Sequence, residues 1–600
     1  MKNQNSAASN DINVELGFRH HQAGQLADAE TLYLRALAQR PGNARALHLL
    51  GVIACQRDDF AKGAELIGKA ITAGPASAEM HLHLGNALYK SGRMDEAARS
   101  FRKATRSDPS MQDAHANLAE ILQQQGRLKD AEAAWRDVIK LAPLSSHAHF
   151  GLANTLHRQG DLEKAIATYR TAILLQPVYP DAYCNLGCSL REQGLFDEAV
   201  VALCTAIGQN QQHAGAYSNL GVTLKDMGRL AEAEAPCRVA AGLMPGSAVT
   251  QYNLACVLQD LGHHEEAEEH YRTALSLSPD YVEAHWNFAL LLLRLGKFKE
   301  GWAEHEWRTK TNKPWSPKRN FPQPQWQGEP LAGKTVLVHS EQGLGDVIQF
   351  SRYASLLADR GAEVVFFTYP PLARLLQTVP GISRVTVEAN ALPPVDYHVP
   401  LLSLPFLLGT ELGTIPAIVP YVQADAASSA VWRTRLAAEN GRKIGLVWAS
   451  DPRPNDPDAC RIDQHRNLRL SQFSGLAEIP GITLVSLQKG LPADQLQTLP
   501  TGMHVLDVMG EITDFADTAA LIASLDLVIS VDTSVAHLAG ALGKPVWILS
   551  RLNGCWRWLE NRDDSPWYPT ARLFRQTRRG DWDEEMQRLQ QELRQFASAI

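Results

Sequence analysis

The string VDTSVAHLAGALGKP, from Val531 to Pro545, carries the densest chemistry in the chain. Asp532, Thr533 and Ser534 end an apolar run with strand character and open a helical one. Free N–H groups and the positive end of a helix dipole there suit a diphosphate. His537 follows one turn in and adds a donor. A second candidate lies upstream, where a strand over Thr335–Ser340 runs into the glycine turn EQGLGD and then into helical spacing over Val347–Arg360. Gly343 and Gly345 belong to this turn, and Asp346 starts the helix, where Asp is an ordinary cap. The turn is not a dinucleotide fingerprint, because Ile348 stands where GxGxxG requires its third glycine. Two further strand ends add candidates. Trp448 and Ser450 close KIGLVWAS, with Trp448 read either as pocket lining or as core, and Lys489 in LQKG reads either as a phosphate partner or as a solvated lysine.

Strands must carry these residues. Glu363–Thr368, KIGLVWAS from Lys443, ITLVSLQKG from Ile482 and LDLVIS from Leu525 alternate with helical spacing, the pattern of parallel sheets with crossover helices. Two Rossmann-like lobes follow, over 333–425 and 440–600, with ligands expected at the carboxyl ends of strands in the cleft between them. After Trp448 the stretch DPRPNDPDACRIDQHR reads as a polar loop that closes over a ligand, with Arg461, Arg466 or Arg469 reaching phosphate. Asp456-Pro-Asp458 and Asp581-Trp-Asp583 match the DxD spacing of metal sites by accident, so no metal is expected. DEEMQRLQQELRQFASAI is an amphipathic terminal helix.

Residues 10–315 are built differently. Gly17, Gly51, Gly85, Ala119, Ala153, Gly187, Gly221, Ala255 and Ala289 recur every 34 residues, which marks nine structural repeats. Seven positions after each stands Gly24, Asp58, Gly92, Gly126, Gly160, Gly194, Gly228, Gly262 or Gly296, where a helix ends in a left-handed turn. Each unit is therefore a helix pair, and the small residues twelve positions after each marker, from Ala29 to Gly301, let paired helices touch. Two positions before the marker, five of nine residues are Asn: Asn117, Asn185, Asn219, Asn253 and Asn287. Asn is a poor helix-interior residue. Its amide can pair with both N–H and C=O of an extended peptide, or it can satisfy groups of the neighbouring helices. HHEEAEEH, from His263 to His270, does not match HExxH and reads as solvated helix surface.

Between these halves the helical pattern stops. Pro314, Pro317, Pro322, Pro324 and Pro330 mark a junction, with 316–332 as linker, and Trp302, Trp307, Trp315 and Trp326 around it indicate a packed joint. Gly328, Gly333, Lys334 and Thr335 spell a phosphate-loop motif letter for letter, but they lead into a strand rather than a helix. The 58 Lys and Arg against 65 Asp and Glu give a net charge of −7 without basic runs, so nucleic acid is not an expected partner. No apolar stretch suits export or membrane spanning, and the eight cysteines contain no CxxC, with Cys184 and Cys188 read as core. A cytoplasmic location fits.

The 34-residue pattern resembles the tetratricopeptide family over 10–315. That resemblance implies an all-α superhelix with a peptide-binding groove, and PDAYCNLG from Pro180 is similar to the arm of O-linked N-acetylglucosamine transferases, where such Asn residues hold protein substrates. EQGLGD together with the DTS-x-x-H box resembles bacterial heptosyltransferases, which are α/β transferases of the two-lobed GT-B type; Ser534 stands where that family has glycine. The resemblance implies an acceptor lobe over 333–425, a nucleotide-sugar lobe over 440–600, and inverting transfer without a metal or other cofactor. It also implies that Asp346 is the general base and that Gly343, Gly345, Trp448, Ser450, Lys489, Asp532, Thr533, Ser534 and His537 bind the donor. A protein acceptor in the groove accounts for both halves, and bacterial proteins with this pairing resemble flagellin-modifying transferases. The alternatives are an envelope polysaccharide or lipopolysaccharide transferase docked through its repeats, and an inactive scaffold.

Overall fold

A computed structural model describes residues 2–311, 319–388, 392–452 and 457–598. The chain divides into two compact units, Met1–Pro245 and Gly246–Ile600. The first consists of paired helices. Its turns occur where the sequence places them: Gly24, Gly92, Gly126, Gly160, Gly194 and Gly228 take φ between 74° and 83°, and Asp58 takes φ 61° in the same role. The small residues in each second helix, among them Ala29, Ala97, Ala131, Ala165, Ala199 and Ala233, are fully buried. Large side chains fill the gaps between them. In the fifth repeat Gly151 makes room for Trp135, whose ring lies 2.4 Å from where a Cβ would stand.

The second unit starts inside the repeat pattern. Its helix pairs are Ala248–Leu261 with His264–Leu277 and Val282–Arg294 with Phe298–His305, the last running into a 3-10 turn, Glu306–Lys310. Two wholly parallel sheets follow. The first contains β1 (Thr335–His339), β2 (Glu363–Phe367), β3 (Ile382–Thr386) and β4 (Tyr397–Pro400) in the order β3-β2-β1-β4. The second contains β5 (Arg442–Val447), β6 (Ile482–Ser486), β7 (Val505–Asp507), β8 (Leu527–Val531), β9 (Val546–Ser550) and β10 (Ala571–Arg575) in the order β10-β9-β8-β5-β6-β7. Every strand of both sheets is thus fed by crossover connections, as near-continuous apolar runs require.

One apolar cluster joins the last repeat to both sheets. Leu293, Phe298 and Trp302 share it with Val336, Val338, Val528, Ile548 and Trp567. In the described part of the junction, Trp326 is fully buried and its main-chain N–H donates to His398 O at 2.8 Å; Trp315, Pro314 and Pro317 lie outside the described residues. Trp307 stacks on His285 at 3.8 Å. The phosphate-loop lookalike is spent on the fold, since Lys334 Nζ pairs with Asp396 Oδ1 at 2.9 Å and Thr335 opens β1.

Three expectations need correction. Val347–Arg360 is not one helix but two, Leu344–Phe350 and Tyr353–Ala358. The break lies at Ser351–Arg352, where the buried Arg352 turns inward to donate to Trp567 O at 2.7 Å and Pro416 O at 3.0 Å. The polar stretch after Trp448 holds a helix, Pro457–Arg466, because proline at a first helical position costs no hydrogen bond. His264 is not solvated surface; it is largely buried against Glu560. The terminal helix Asp583–Ser598 seats Leu589 and Leu593 in the core of the second sheet.

Candidate functional site

The carboxyl ends of β8 and β9 form the floor of the site. Thr533 is the N-cap of the helix Ser534–Ala541, with extended φ −134°, and no side chain caps that helix. Ser534 is the first helical residue. Ala536 N–H donates to Thr533 O at 3.1 Å, so it is the N–H groups of Ser534 and Val535 that keep their capacity for an outside acceptor. Thr533 Oγ1 sits 3.0 Å from Ser530 Oγ, and Arg466 Nη1 donates to Asp532 O at 3.1 Å.

His537 is buried beneath this turn. Its Nδ1 is 3.0 Å from the Tyr568 hydroxyl, and its ring stacks on Trp558 at 5.3 Å. Tyr421 OH donates to Ile348 O at 3.1 Å and lies 3.4 Å from Tyr568 OH. When the Tyr568 hydroxyl donates to Nδ1, Nε2 carries the ring N–H. Burial, followed by the charges of Arg557 and Arg352, pushes the imidazole well below its usual range, so the neutral form is the resting one. Nε2 lies 3.9 Å from Asp532 Oδ1.

EQGLGD meets this box directly. A Cβ on Gly345 would stand 2.8 Å from His537 Cδ2 and 3.3 Å from Ser534 Cα, so only glycine allows the approach. Gly343 caps the helix Leu344–Phe350, and its N–H donates to Asp346 Oδ2 at 2.8 Å. Asp346 is thus a helix cap, but it does more. Its Oδ1 accepts from Arg557 Nη2, and Arg557 Nε donates to Gln349 Oε1 at 2.7 Å. Burial works against the charge of Arg557, but Asp346, Cys555 and Asp532 together outweigh it and the guanidinium is held above its usual range. The turn itself is pinned from below, where the fully buried Arg308 donates to Glu341 Oε2 at 3.0 Å and Oε1 at 2.7 Å.

Arg557 and Arg551 were missed in the sequence, although RLNGCWRWLENR follows β9 at the functional edge of the sheet. Arg551 forms no ion pair among the described residues. Burial and the nearby Arg294 pull it below its usual value, with Asp532 and Asp260 offsetting this only in part. An anion would relieve that imbalance.

The remaining expected residues have partners of their own, and β5, which leads into Trp448 and Ser450, pairs with β8. Trp448 is buried in the second-sheet core with Nε1 donating to Pro492 O at 3.2 Å, and Ser450 N–H donates to Asn467 Oδ1 at 2.9 Å. Lys489 Nζ donates to Ile512 O. Asp581 Oδ1 accepts from Asp583 N at 3.0 Å, which makes this DxD a turn at the start of the terminal helix. Asp456 and the side chains of Asp458 and Arg461 lie outside the described residues. In the repeats, Asn117 and Asn185 each donate Nδ2 at 2.9 Å to the preceding repeat, to Asn86 and Asn154. Asn219 donates to Cys184 Sγ at 3.4 Å and Asn287 to Tyr252 OH at 2.7 Å, while Asn253 also has a partner. Asn287 Nδ2 also reaches Cys256 Sγ at 3.6 Å, so these amides are engaged between neighbouring repeats.

Comparison with known proteins agrees with this architecture. Residues 19–78, 54–112, 82–135, 116–181 and 184–248 match a tetratricopeptide repeat family and 257–296 match a TPR repeat family. Residues 482–549, from β6 to β9, match glycosyltransferase family 9 (heptosyltransferase). The chain joins tetratricopeptide repeats to a glycosyltransferase family 9 domain. A curated relative, Protein FlbA of Caulobacter vibrioides, is 26% identical over 327 residues, which are 50% of this chain and 53% of FlbA. The chain thus spans about half the length of that relative. Among solved structures, MamA is 25% identical with a TM-score of 0.26, covering 27% of this chain and 95% of that one. YrrB, described as a TPR protein with an unusual peptide-binding site, is 23% identical with a TM-score of 0.26, covering 31% and 96%. No helix among the described residues is long and apolar enough to cross a membrane.

Proposed function

We propose that this protein transfers a sugar from a nucleotide-sugar donor to a Ser or Thr hydroxyl of a protein acceptor captured by its repeats, by inverting displacement without a metal. The observation that supports this reading is the apposition of EQGLGD and the DTS-x-x-H box through Gly345. It brings an acidic side chain and an array of N–H donors to one place. In the reaction, Asp346 takes the acceptor hydroxyl proton as its oxygen bonds to the anomeric carbon. The bond from that carbon to the diphosphate breaks, and the leaving group keeps the electron pair. Negative charge then grows where the N–H groups of Ser534 and Val535, His537 Nε2–H and Arg551 supply fixed donors, the arrangement that lowers such barriers most. A carboxylate oxygen that already accepts one hydrogen bond keeps a further lone pair, so the cap and the Arg557 pair do not bar Asp346 from the proton. Flagellin is the first acceptor to try.

The deciding experiment is intact-mass measurement of proteins retained by the repeats, from cells carrying the wild type or Asp346→Asn. A retained protein heavier by whole sugar units only with the wild type supports the proposal. Equal masses would overturn it. One observation favours a second reading, in which the chain is a scaffold: both Asp346 oxygens are already engaged within the protein. Failure of the wild type to release nucleoside diphosphate from any UDP-, GDP- or ADP-sugar would favour that reading.

A further inference from the structure

The segment between β9 and β10 has two faces. On one, Arg557 holds Asp346 and Gln349. On the other, the segment is tied to the last two repeats. Asn553 Nδ2 donates to Asp260 O at 2.5 Å, Arg294 Nη2 donates to Gly554 O at 2.9 Å, and His264 Nε2 lies 2.7 Å from Glu560 Oε1. Trp556 meets Trp302 edge-on at 5.3 Å. Between those ties the backbone is strained at Leu559, which takes φ 52° without being glycine, while Asn553 and Asn561 take φ 53° in the left-handed region that Asn tolerates. A leucine takes such a φ only where neighbours impose it.

The repeat pattern itself breaks at one of these ties. The first residue of each second helix is Leu26, Phe60, Met94, Leu128, Leu162, Phe196, Leu230, His264 and Phe298. Eight are large and apolar, as that position demands for packing within the pair. His264 departs from the rule in the repeat whose second helix meets Glu560. Burial opposes the charge of Glu560, but His264 outweighs it, aided by Arg294 and Arg575, and the carboxyl is held below its usual range.

We infer that His264 and Arg294 are positioning residues of the transferase, holding segment 551–561 and with it Arg557 against Asp346. The inference rests on the reading of Asp346 as base given above. The eighth and ninth repeats then belong to the catalytic apparatus as much as to the arm, and they act on the reacting carboxylate without touching substrate.

The test uses the full chain in five forms besides the wild type. His264→Leu restores the repeat's own preference and so spares the helix pair. Asn553→Gly removes the tie to Asp260 while permitting the left-handed backbone. Arg294→Ala removes the bonds to Gly554, and Arg272→Ala, an exposed residue of the eighth repeat, serves as control. Amide hydrogen exchange should rise about tenfold or more in 551–561 and also in 343–350 for the first three, and in neither for the control. Turnover of the best of a UDP-, GDP- and ADP-sugar panel should fall roughly 10- to 100-fold with donor KM within about twofold. Arg294→Lys, which keeps a donor for Gly554 O, should recover most of the rate. Unchanged exchange in 343–350 would overturn the inference, as would propagated loosening with kcat intact. If the wild type turns over no donor, the proposed function fails, and exchange in 343–350 alone still decides whether the repeats hold the Asp346 turn.

Discussion

Repeats one to seven and repeats eight to nine share a period but spend their charged residues differently. In the first unit, Arg93–Glu96, Arg127–Asp130 and Arg229–Glu232 pair at i,i+3 on exposed surface, within one helix end. Such pairs are screened by solvent and specify little. In the second unit His264, Arg294 and the following Arg308 are largely buried and reach residues in the segments that follow β9 and β1. A buried charge stripped of its partner is costly. The contrast teaches that a repeat's departures from its own rule mark where it has taken on a second task.

The largest effect that would sharpen this contrast is on chemistry. Asp346→Asn should reduce sugar transfer by roughly 10²- to 10⁴-fold while leaving the thermal midpoint of the repeats unchanged, as read by intact mass and calorimetry. Gly345→Ala comes next. Its Cβ meets His537 and the backbone of Ser534, so the second unit should lose about 1–3 kcal/mol in urea unfolding. Acid should then divide the units less sharply. Burial, with the neighbouring His83, pulls His48 down to about 4, and His537 is lowered by burial and two arginines. Both bind protons only when unfolded between their ordinary value and their folded one, so stability is present at neutral pH and declines as pH falls below about 6.5. For His48 the loss at pH 5 is about 2 kcal/mol, measurable by thermal unfolding against pH. The smallest effect is a gain. Gly208 lies in the helix Phe196–Gln209 with nothing near its missing Cβ, so Gly208→Ala should stabilise the first unit by about 0.5–1 kcal/mol.

The repeats were legible because their contacts are local. A glycine at a left-handed turn and a small residue facing its partner helix are written within one 34-residue window. The strands were legible as apolar runs, and β1, β2, β5, β6, β8 and β9 all fall where those runs lie. The site was half legible. Thr533, Ser534, His537, Gly345 and Asp346 stood out because glycine turns and helix starts leave local traces. Arg557 and Arg551 did not, since their meaning depends on Asp346 and Asp532, and the tie from Asn553 to Asp260 spans 293 positions. The helix Pro457–Arg466 was hidden by its prolines and charge, although Pro457 at its first position was the available clue. The break at Arg352 was hidden as well, because a helical spacing carries no sign that one arginine will turn inward to two main-chain carbonyls.

The division at Pro245 and Gly246 also bears on how such a chain can change over generations. Whole 34-residue units can be gained, lost or traded upstream of that point without touching the segment that the last two repeats hold. Downstream, a recombination crossover would sever His264 and Arg294 from the segment they hold. Exchange of arms between relatives is therefore expected to leave its scars in or before the seventh unit, with the last two inherited together with the sheets.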